Sequence, residues 1–247
     1  MNERDKSLGD YIELKDYNSI NDFLIESSRS PNANDLKYID ILLNVPDQEF
    51  RKNYILNLVF YLGELGKDTI LDEKYVVFLK TIYFQSDRWV RNEVLISILK
   101  FIHKMEVGED IFTIIRNAIT DEYSTIKLNA IKIINQIDTI PEDILTKVVL
   151  NFRSDNSEVI SYSSQIIKKI TKSNQILINL LKKVNDVNPN IEKVLIRNLL
   201  ITLFESVIEL EHFRDDLSES ELPEEFKQKF LNEINIMQKI LLRSTHR

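Results

Sequence analysis

The sequence has no cysteine among its 247 residues. Without thiols the chain can form no disulfide, no thiolate nucleophile and no cysteine-ligated zinc or iron–sulfur site. Glycine and proline are also scarce, at 4 and 5 residues. Because β-hairpins and βαβ units both need such residues in their turns, this scarcity favours an all-helical fold.

Motifs that bind cofactors or metals are also missing from the sequence. Neither GxGxxG nor GxxxxGK[ST] occurs, and Gly63 and Gly66 fit a helix-ending turn better than a phosphate-binding loop. The three histidines, His103, His212 and His246, are far apart and match no metal-ligand spacing such as HExxH. The sequence therefore predicts no cofactor, no metal site and no catalytic constellation, so we expect a protein that is not an enzyme.

Long apolar runs are missing too. No segment reaches the roughly 18 to 20 apolar residues that span a bilayer. Residues 1–16 carry charges throughout and lack the apolar core of a signal peptide. We therefore expect no membrane span and a cytoplasmic location.

Acidic residues outnumber basic ones, 39 to 32, which gives a formal net charge of −7. Dedicated nucleic-acid binders usually carry a basic face that releases counterions, so nucleic acid is an unlikely partner. The charge is uneven along the chain. Residues 160–200 contain seven basic and two acidic residues, whereas 205–225 contains nine acidic residues and one arginine.

One apolar pattern is present five times. Its anchors, each three to five residues after an aspartate, are Phe50, Val90, Ile126, Val159 and Ile191. Mostly apolar or small residues follow each anchor by 4, 8 and 11 positions, which traces one face of an α-helix, here called the B helix. Apolar residues 7, 11 and 14 positions before each anchor predict a preceding A helix, so ten helices share one register.

This register divides the chain into repeats. Helix pairs are predicted over 34–70, 71–107, 108–139, 140–172 and 173–210. We expect residues 1–33 to contain a capping helix at Ser19 to Ser28, and 226–247 to form a closing helix and tail. The intervening segment 211–225 is acidic and contains serine, and it is interpreted as a loop. Terminal helices of this kind shield the open core of a repeat array.

The second helix of these pairs resembles that of a HEAT repeat. Residues 87–94, Asp-Arg-Trp-Val-Arg-Asn-Glu-Val, carry the pattern of an aspartate, an aliphatic–basic pair and an aliphatic residue. Residues 121–130 repeat it, and 47–54 is a weaker copy, whereas the anchors Val159 and Ile191 lack the basic residue. The resemblance implies a right-handed α–α superhelix with A helices outside and B helices lining a concave face.

Three basic residues, Arg51, Arg91 and Lys127, directly follow their anchors. The favoured interpretation is structural: each pairs with a loop aspartate and sets the register of one repeat on the next. Exposed pairs of this kind contribute under ~1 kcal/mol each, so their effect would be mainly on geometry. The alternative is that they bind a partner.

A working surface is predicted on the concave side of repeats three to five. Six residues there are expected to point away from the packed stripe, and with two further lysines they could form a positive patch: Lys132, Gln136, Gln165, Lys168, Lys169 and Arg197, together with Lys172 and Lys193. The patch could hold an acidic peptide or protein, or it could receive the chain's own acidic segment as a gate. The remaining alternative is a merely solvated helix face.

The favoured function is therefore a protein-interaction scaffold or adaptor, because solenoids offer extended concave surfaces and no catalytic motif is present. One alternative is a HEAT-like nucleic-acid-binding protein of the DNA glycosylase kind, which uses an aspartate, aromatics and a basic groove. Trp89 is the single tryptophan available for that role. Another alternative is a regulatory subunit of a larger complex.

Overall fold

A computed structural model describes residues 3–244 of the chain and the side chains of residues 7–243. Over that range the fold is all-helical and contains no strand, as predicted, and it has fifteen α-helices, more than the five pairs and two capping helices expected. No helix in it combines the length and apolar character needed to cross a membrane. The chain divides into two compact units, Met1–Ile137 and Asp138–Arg247.

Unit 1 contains nine α-helices within its described residues. In chain order these are α1 (Glu3–Glu13), α2 (Tyr17–Ser28), α3 (Leu36–Leu43), α4 (Gln48–Lys52), α5 (Ile55–Gly66), α6 (Glu73–Gln85), α7 (Arg88–Phe101), α8 (Glu109–Ala118) and α9 (Ser124–Asn135). Helix α1 was not expected from the sequence. The first predicted B helix is broken into α4 and α5 at residues 53–54.

Unit 2 contains six α-helices within its described residues. They are α10 (Glu142–Leu150), α11 (Ser157–Ile170), α12 (Asn174–Val187), α13 (Lys193–Leu203), α14 (Val207–Glu219) and α15 (Glu224–Ser244). A short 3-10 turn, Asn151–Arg153, follows α10.

Short polar side chains cap the N-termini of three of the five helices that begin near an anchor, α4, α7 and α11. The Asp47 carboxylate accepts a hydrogen bond from the Phe50 amide at 3.0 Å, and that of Asp87 accepts one from the Val90 amide at 3.1 Å. Asn156 does the same at the start of α11. These side chains satisfy amides that have no partner inside the helix, so the aspartate of the repeat acts as an N-cap in the first two pairs.

Each unit is built of two helix layers. In unit 1, α2, α5, α7 and α9 pack side by side, and α6 packs on α8 in the other layer. In unit 2, α11, α13 and α15 form one layer, while α10, α12 and α14 form the other. Amphipathic helices must bury their apolar stripes against neighbours, and this stacking buries both sets.

The predicted inward positions lie in these cores. All five anchors and every residue 4 or 8 positions after them are buried. The A-helix positions Leu79, Ile115, Val148 and Leu180 are also buried. At the edges of the stripes burial is partial, for example at Phe112, Ile170 and Thr202.

The prediction of a loop at 211–225 is wrong. Ser206 and Glu209 form a capping box at the start of α14, and Leu210, Phe213 and Leu217 are fully buried in unit 2. The apolar spacing of α14 differs from that of the other A helices, which explains why the shared register did not reveal it. The acidic side chains occupy its solvent-facing positions.

Gly63 and Gly66 were expected to lie in a turn, but both belong to α5. A methyl group at Gly63 would lie 2.8 Å from the Ser97 Cα of α7, and one at Gly66 would lie 2.9 Å from the Phe101 Cβ. The Ser97 hydroxyl donates to the Val59 carbonyl at 2.9 Å. Glycine is therefore required at position 63 because the backbones of α5 and α7 approach closely, whereas at position 66 the close contacts are with the side chains of Phe101 and Leu71.

The basic residues that follow the anchors differ from one another. Arg91 pairs with Asp121 of the next repeat at 3.2 Å, as the structural interpretation expects. Arg51 instead donates to the Leu43 carbonyl at 2.9 Å, which ties α4 to the end of α3. Lys127 has no ion pair with any residue in the described range 7–243.

Candidate partner-binding groove

The eight residues of the predicted patch are divided between the units. Lys132 lies in α9, and Gln136 directly follows that helix, in unit 1. The six in unit 2 comprise three on α11, one in the turn before α12 and two on α13: Gln165, Lys168, Lys169, Lys172, Lys193 and Arg197.

Ion pairs neutralise half of the six residues in unit 2. Lys168 lies 3.1 Å from Glu205, and Lys169 lies 3.0 Å from Asp138. Arg197 is paired with Glu233. Three of the predicted partner-binding residues therefore carry charges that are already paired within the chain.

The acidic segment does approach the basic helices, but as part of the fold. Besides the Lys168–Glu205 pair, Lys182 lies 3.2 Å from Glu221. The side-chain amide of Asn174 donates a hydrogen bond to the Asp216 carboxylate at 2.7 Å. Because α14 also buries three apolar side chains in unit 2, it cannot move as a flexible gate without unfolding. The segment is neither the gate nor the solvated loop that the sequence suggested.

An apolar groove lies between helices α13 and α15, which belong to the same layer of unit 2. Its volume is about 680 Å³. The lining residues come from both helices and from the turn after α13: Arg197, Leu200, Ile201, Phe204, Glu205, Glu233, Ile236, Met237, Ile240 and Leu241. Seven of these ten side chains are apolar.

The groove has a buried floor and exposed walls. Leu200 and Phe204 are buried, whereas Ile201 is 62% exposed and Ile240 is 61% exposed. On α15, Ile234 is the last buried residue; Met237 and Leu241 are half-buried, and no side chain from residue 235 to 243 is fully buried. The second half of α15 thus presents an apolar face that its own chain covers only in part.

Charged residues lie at both ends of the groove. At one end the Arg197 Nε donates to the Glu233 Oε2 at 2.5 Å, and Nη2 lies 3.4 Å from Oε1. This hydrogen bond raises the pKa of Arg197, so the guanidinium stays charged. Glu233 is buried, but Arg197 is 54% exposed. At the other end Glu205 is balanced by Lys168.

The sequence contains a signal for this groove. At the position ten residues after the anchor, the third and fourth B helices carry the polar residues Gln136 and Lys169, whereas the fifth carries the apolar residue Ile201. Phe226, Phe230, Ile234 and Met237 follow the same spacing of 0, 4, 8 and 11. Helix α15 is therefore a further B helix, paired with α14.

A second cavity of about 500 Å³ lies at the turns before α12 and α14. Its lining is mixed: it includes Lys168, Lys172, Glu205, Glu209 and His212 together with Leu177, Leu203 and Phe204. Glu209 accepts hydrogen bonds from the Glu205 and Ser206 amides, which lower the pKa of Glu209. Glu209 thus caps α14, and Lys168 is paired with Glu205.

Trp89, His103 and His212, the other candidates for chemistry in the described residues, do not line the groove. Trp89 of α7 is 64% exposed, and the Arg88 guanidinium stacks between its ring, at 4.8 Å, and that of Tyr123, at 5.0 Å. His246 lies outside the described residues. Among those described, no three histidine or acidic side chains are placed to hold a metal ion.

Comparisons with known proteins do not identify a family. No protein-family model matches the chain, and no curated protein matches it. Among solved structures, the crystal structure of an engineered protein from the Northeast Structural Genomics Consortium aligns with a TM-score of 0.45 and 15% identity. That alignment covers 81% of this chain and 96% of the engineered one.

Proposed function

We propose that this protein is a non-catalytic scaffold or adaptor of HEAT-like helix pairs, and that the α13–α15 groove binds another polypeptide. The observation that carries the proposal is the open apolar groove of about 680 Å³ between two B helices. The two-layer packing within each unit and the shared register support the solenoid part of the proposal.

The exposed walls of the groove supply the driving force for binding. Burying an isoleucine side chain contributes about 1.5–3 kcal/mol relative to leaving it in water. Ile201, Ile236 and Ile240 are each at least 45% exposed, and they line the same cavity. Contiguous apolar surface rimmed by charged residues is typical of interaction sites on folded proteins.

Site-specific photocrosslinking in the host cell tests this function. A photoreactive amino acid at Ile201 or Ile240 should form crosslinks to another polypeptide. The matched control is Ile208 of α14, which is 65% exposed but does not line the groove. Crosslinks from Ile201 and Ile240 but not from Ile208 would support the proposal, whereas equal or absent crosslinking at the three positions would contradict it.

A further inference from the structure

We infer that the occupant of the groove is an amphipathic α-helix of a partner protein, with acidic residues on its polar face. This inference rests on the proposed function, since it names the partner of the same groove. Three features carry it: the length of the groove, the scarcity of backbone partners in its lining, and the charge beside Arg197.

The length of the groove suits a helix. The lining runs from Arg197 to Glu205 on one side and from Glu233 to Leu241 on the other. Eight residues of helix at 1.5 Å each give about 12 Å, or slightly more than two turns. Over that length a docked helix presents apolar side chains at positions i, i+4 and i+7, which can reach Leu200, Ile201 and Ile240.

The lining also disfavours an extended peptide. An extended strand would lay its amides and carbonyls over an apolar floor, where each unpaired group costs free energy. The polar lining side chains are Arg197, Glu205 and Glu233, and Glu233 is already bonded to Arg197. A helix satisfies its own backbone groups and can therefore place only side chains in the groove.

The positive charge at the Arg197 end of the groove favours binding of a carboxylate. Arg197 uses Nε and Nη2 for Glu233, and its Nη1 has no acceptor among the described residues. Lys193, one helical turn earlier on α13, is exposed and has no ion pair within residues 7–243. Two cations against one carboxylate leave a net positive charge at this end. An acidic side chain on the docked helix can bind there, because arginine retains unused donors.

A second copy of this chain fits the site less well. The outer half of α15 carries Lys239 and Arg243, and residues 234–243 include no acidic residue. Docking that half against Lys193 and Arg197 would bring like charges together. The acidic segment of the chain itself is packed as α14 and is not available. The charge therefore favours a helix from another protein.

Fluorescence anisotropy with two synthetic peptides tests the inference. Both are labelled 18-residue helices with leucine at positions 3, 7, 10 and 14, and the other positions carry glutamate and alanine in one, lysine and alanine in the other. The 247-residue chain should bind the glutamate peptide at least tenfold more tightly than the lysine peptide at low salt. Ile240→Asp should weaken that binding at least tenfold, and Lys193→Glu should remove most of the preference for glutamate.

Matched controls separate these effects from misfolding. Lys172→Glu changes an exposed lysine outside the groove lining and should leave the preference unchanged. Ile240→Asp should keep the helical circular dichroism of the parent, because the side chain is 61% exposed.

Equal binding of both peptides, or binding unchanged by Ile240→Asp, would overturn the inference. Sedimentation equilibrium showing a dimer that Ile240→Asp dissociates would also overturn it, in favour of a second copy. In either case groove-specific crosslinks to another polypeptide would still support the proposed function, so the two failures can be distinguished.

Discussion

Single residues set how closely the helices of unit 1 approach each other. Gly63 faces Ser97, and an added methyl group would lie 2.8 Å from the Ser97 Cα. Because that contact involves backbone, the helices must move apart to relieve it. Such a requirement depends on which residue lies across the crossing, so the sequence around Gly63 alone could not reveal it.

Gly63→Ala should therefore destabilise the protein by about 1–3 kcal/mol, the usual cost of overpacking. Urea unfolding followed by circular dichroism measures the change. Gly9→Ala is the matched control, because nothing lies within 4 Å of a methyl group at Gly9 in α1. That substitution should be neutral or stabilise by up to about 1 kcal/mol. Equal effects of the two substitutions would contradict the close approach.

Two glutamates that share one lysine should respond to pH with opposite signs. Lys100 lies 2.9 Å from Glu64 and 3.8 Å from Glu93. Burial raises the pKa of Glu93, with Lys100 opposing that effect. Burial also acts on Glu64, but hydrogen bonds from Lys67 and Lys100 outweigh it and lower the pKa of Glu64.

Because the pKa of Glu93 is raised in the folded state, the folded protein binds the Glu93 proton more tightly than the unfolded chain does. Ionised Glu93 therefore lowers the free energy of unfolding at neutral pH, and this loss becomes smaller as the pH falls. Glu93→Gln should raise the free energy of unfolding at pH 7. Glu64 contributes stability above its unfolded pKa and loses it as pH falls, so Glu64→Gln should lower that free energy at pH 7. Both differences should shrink toward pH 4 in urea titrations. Effects of the same sign at pH 7 would contradict this assignment.

At the scale of elements, the packing of α14 is the feature that the sequence least foretold. The acidic composition of 211–225 predicted a loop, yet composition describes only the solvent-facing side of an amphipathic helix. Phe213, on the other side, stacks on Phe204 with ring centroids 4.9 Å apart. Since Phe204 lines the groove, α14 supports the groove floor.

Phe213→Ala should lower the free energy of unfolding by about 3–5 kcal/mol, because the side chain is fully buried. Glu211→Ala, at an exposed position of the same helix, should change it by less than about 0.5 kcal/mol. Chemical denaturation of both variants measures the contrast. A small effect of Phe213→Ala would mean that this segment behaves as the loop first predicted.

The B helices were easier to predict, because their apolar spacing is regular. The anchors and the positions 4 and 8 residues after them are buried in both units. Helix α15 follows the same spacing from Phe226, 35 residues after Ile191. The sequence could not show that the second half of α15 forms one side of a groove, because this depends on Ile201 of α13 lying opposite it.

At the scale of the whole molecule, the chain carries a net charge of −7 although its candidate groove is apolar with a positive end. The sequence predicted the helical class and most inward positions. It also placed Arg197 and Lys193 at a binding surface, where they remain in the proposal. It could not predict that Lys168 and Lys169 are paired, because their partners Glu205 and Asp138 lie 37 and 31 residues away.

Methyl NMR of the isoleucine- and methionine-labelled chain tests the central claim most directly. On titration with the glutamate peptide, the methyl signals of Ile201, Ile236, Met237 and Ile240 should shift, with assignments checked by point substitution. The signals of Ile208, which is as exposed but lies outside the groove lining, should stay in place. Shifts at Ile208 with none at the four groove residues would contradict the account.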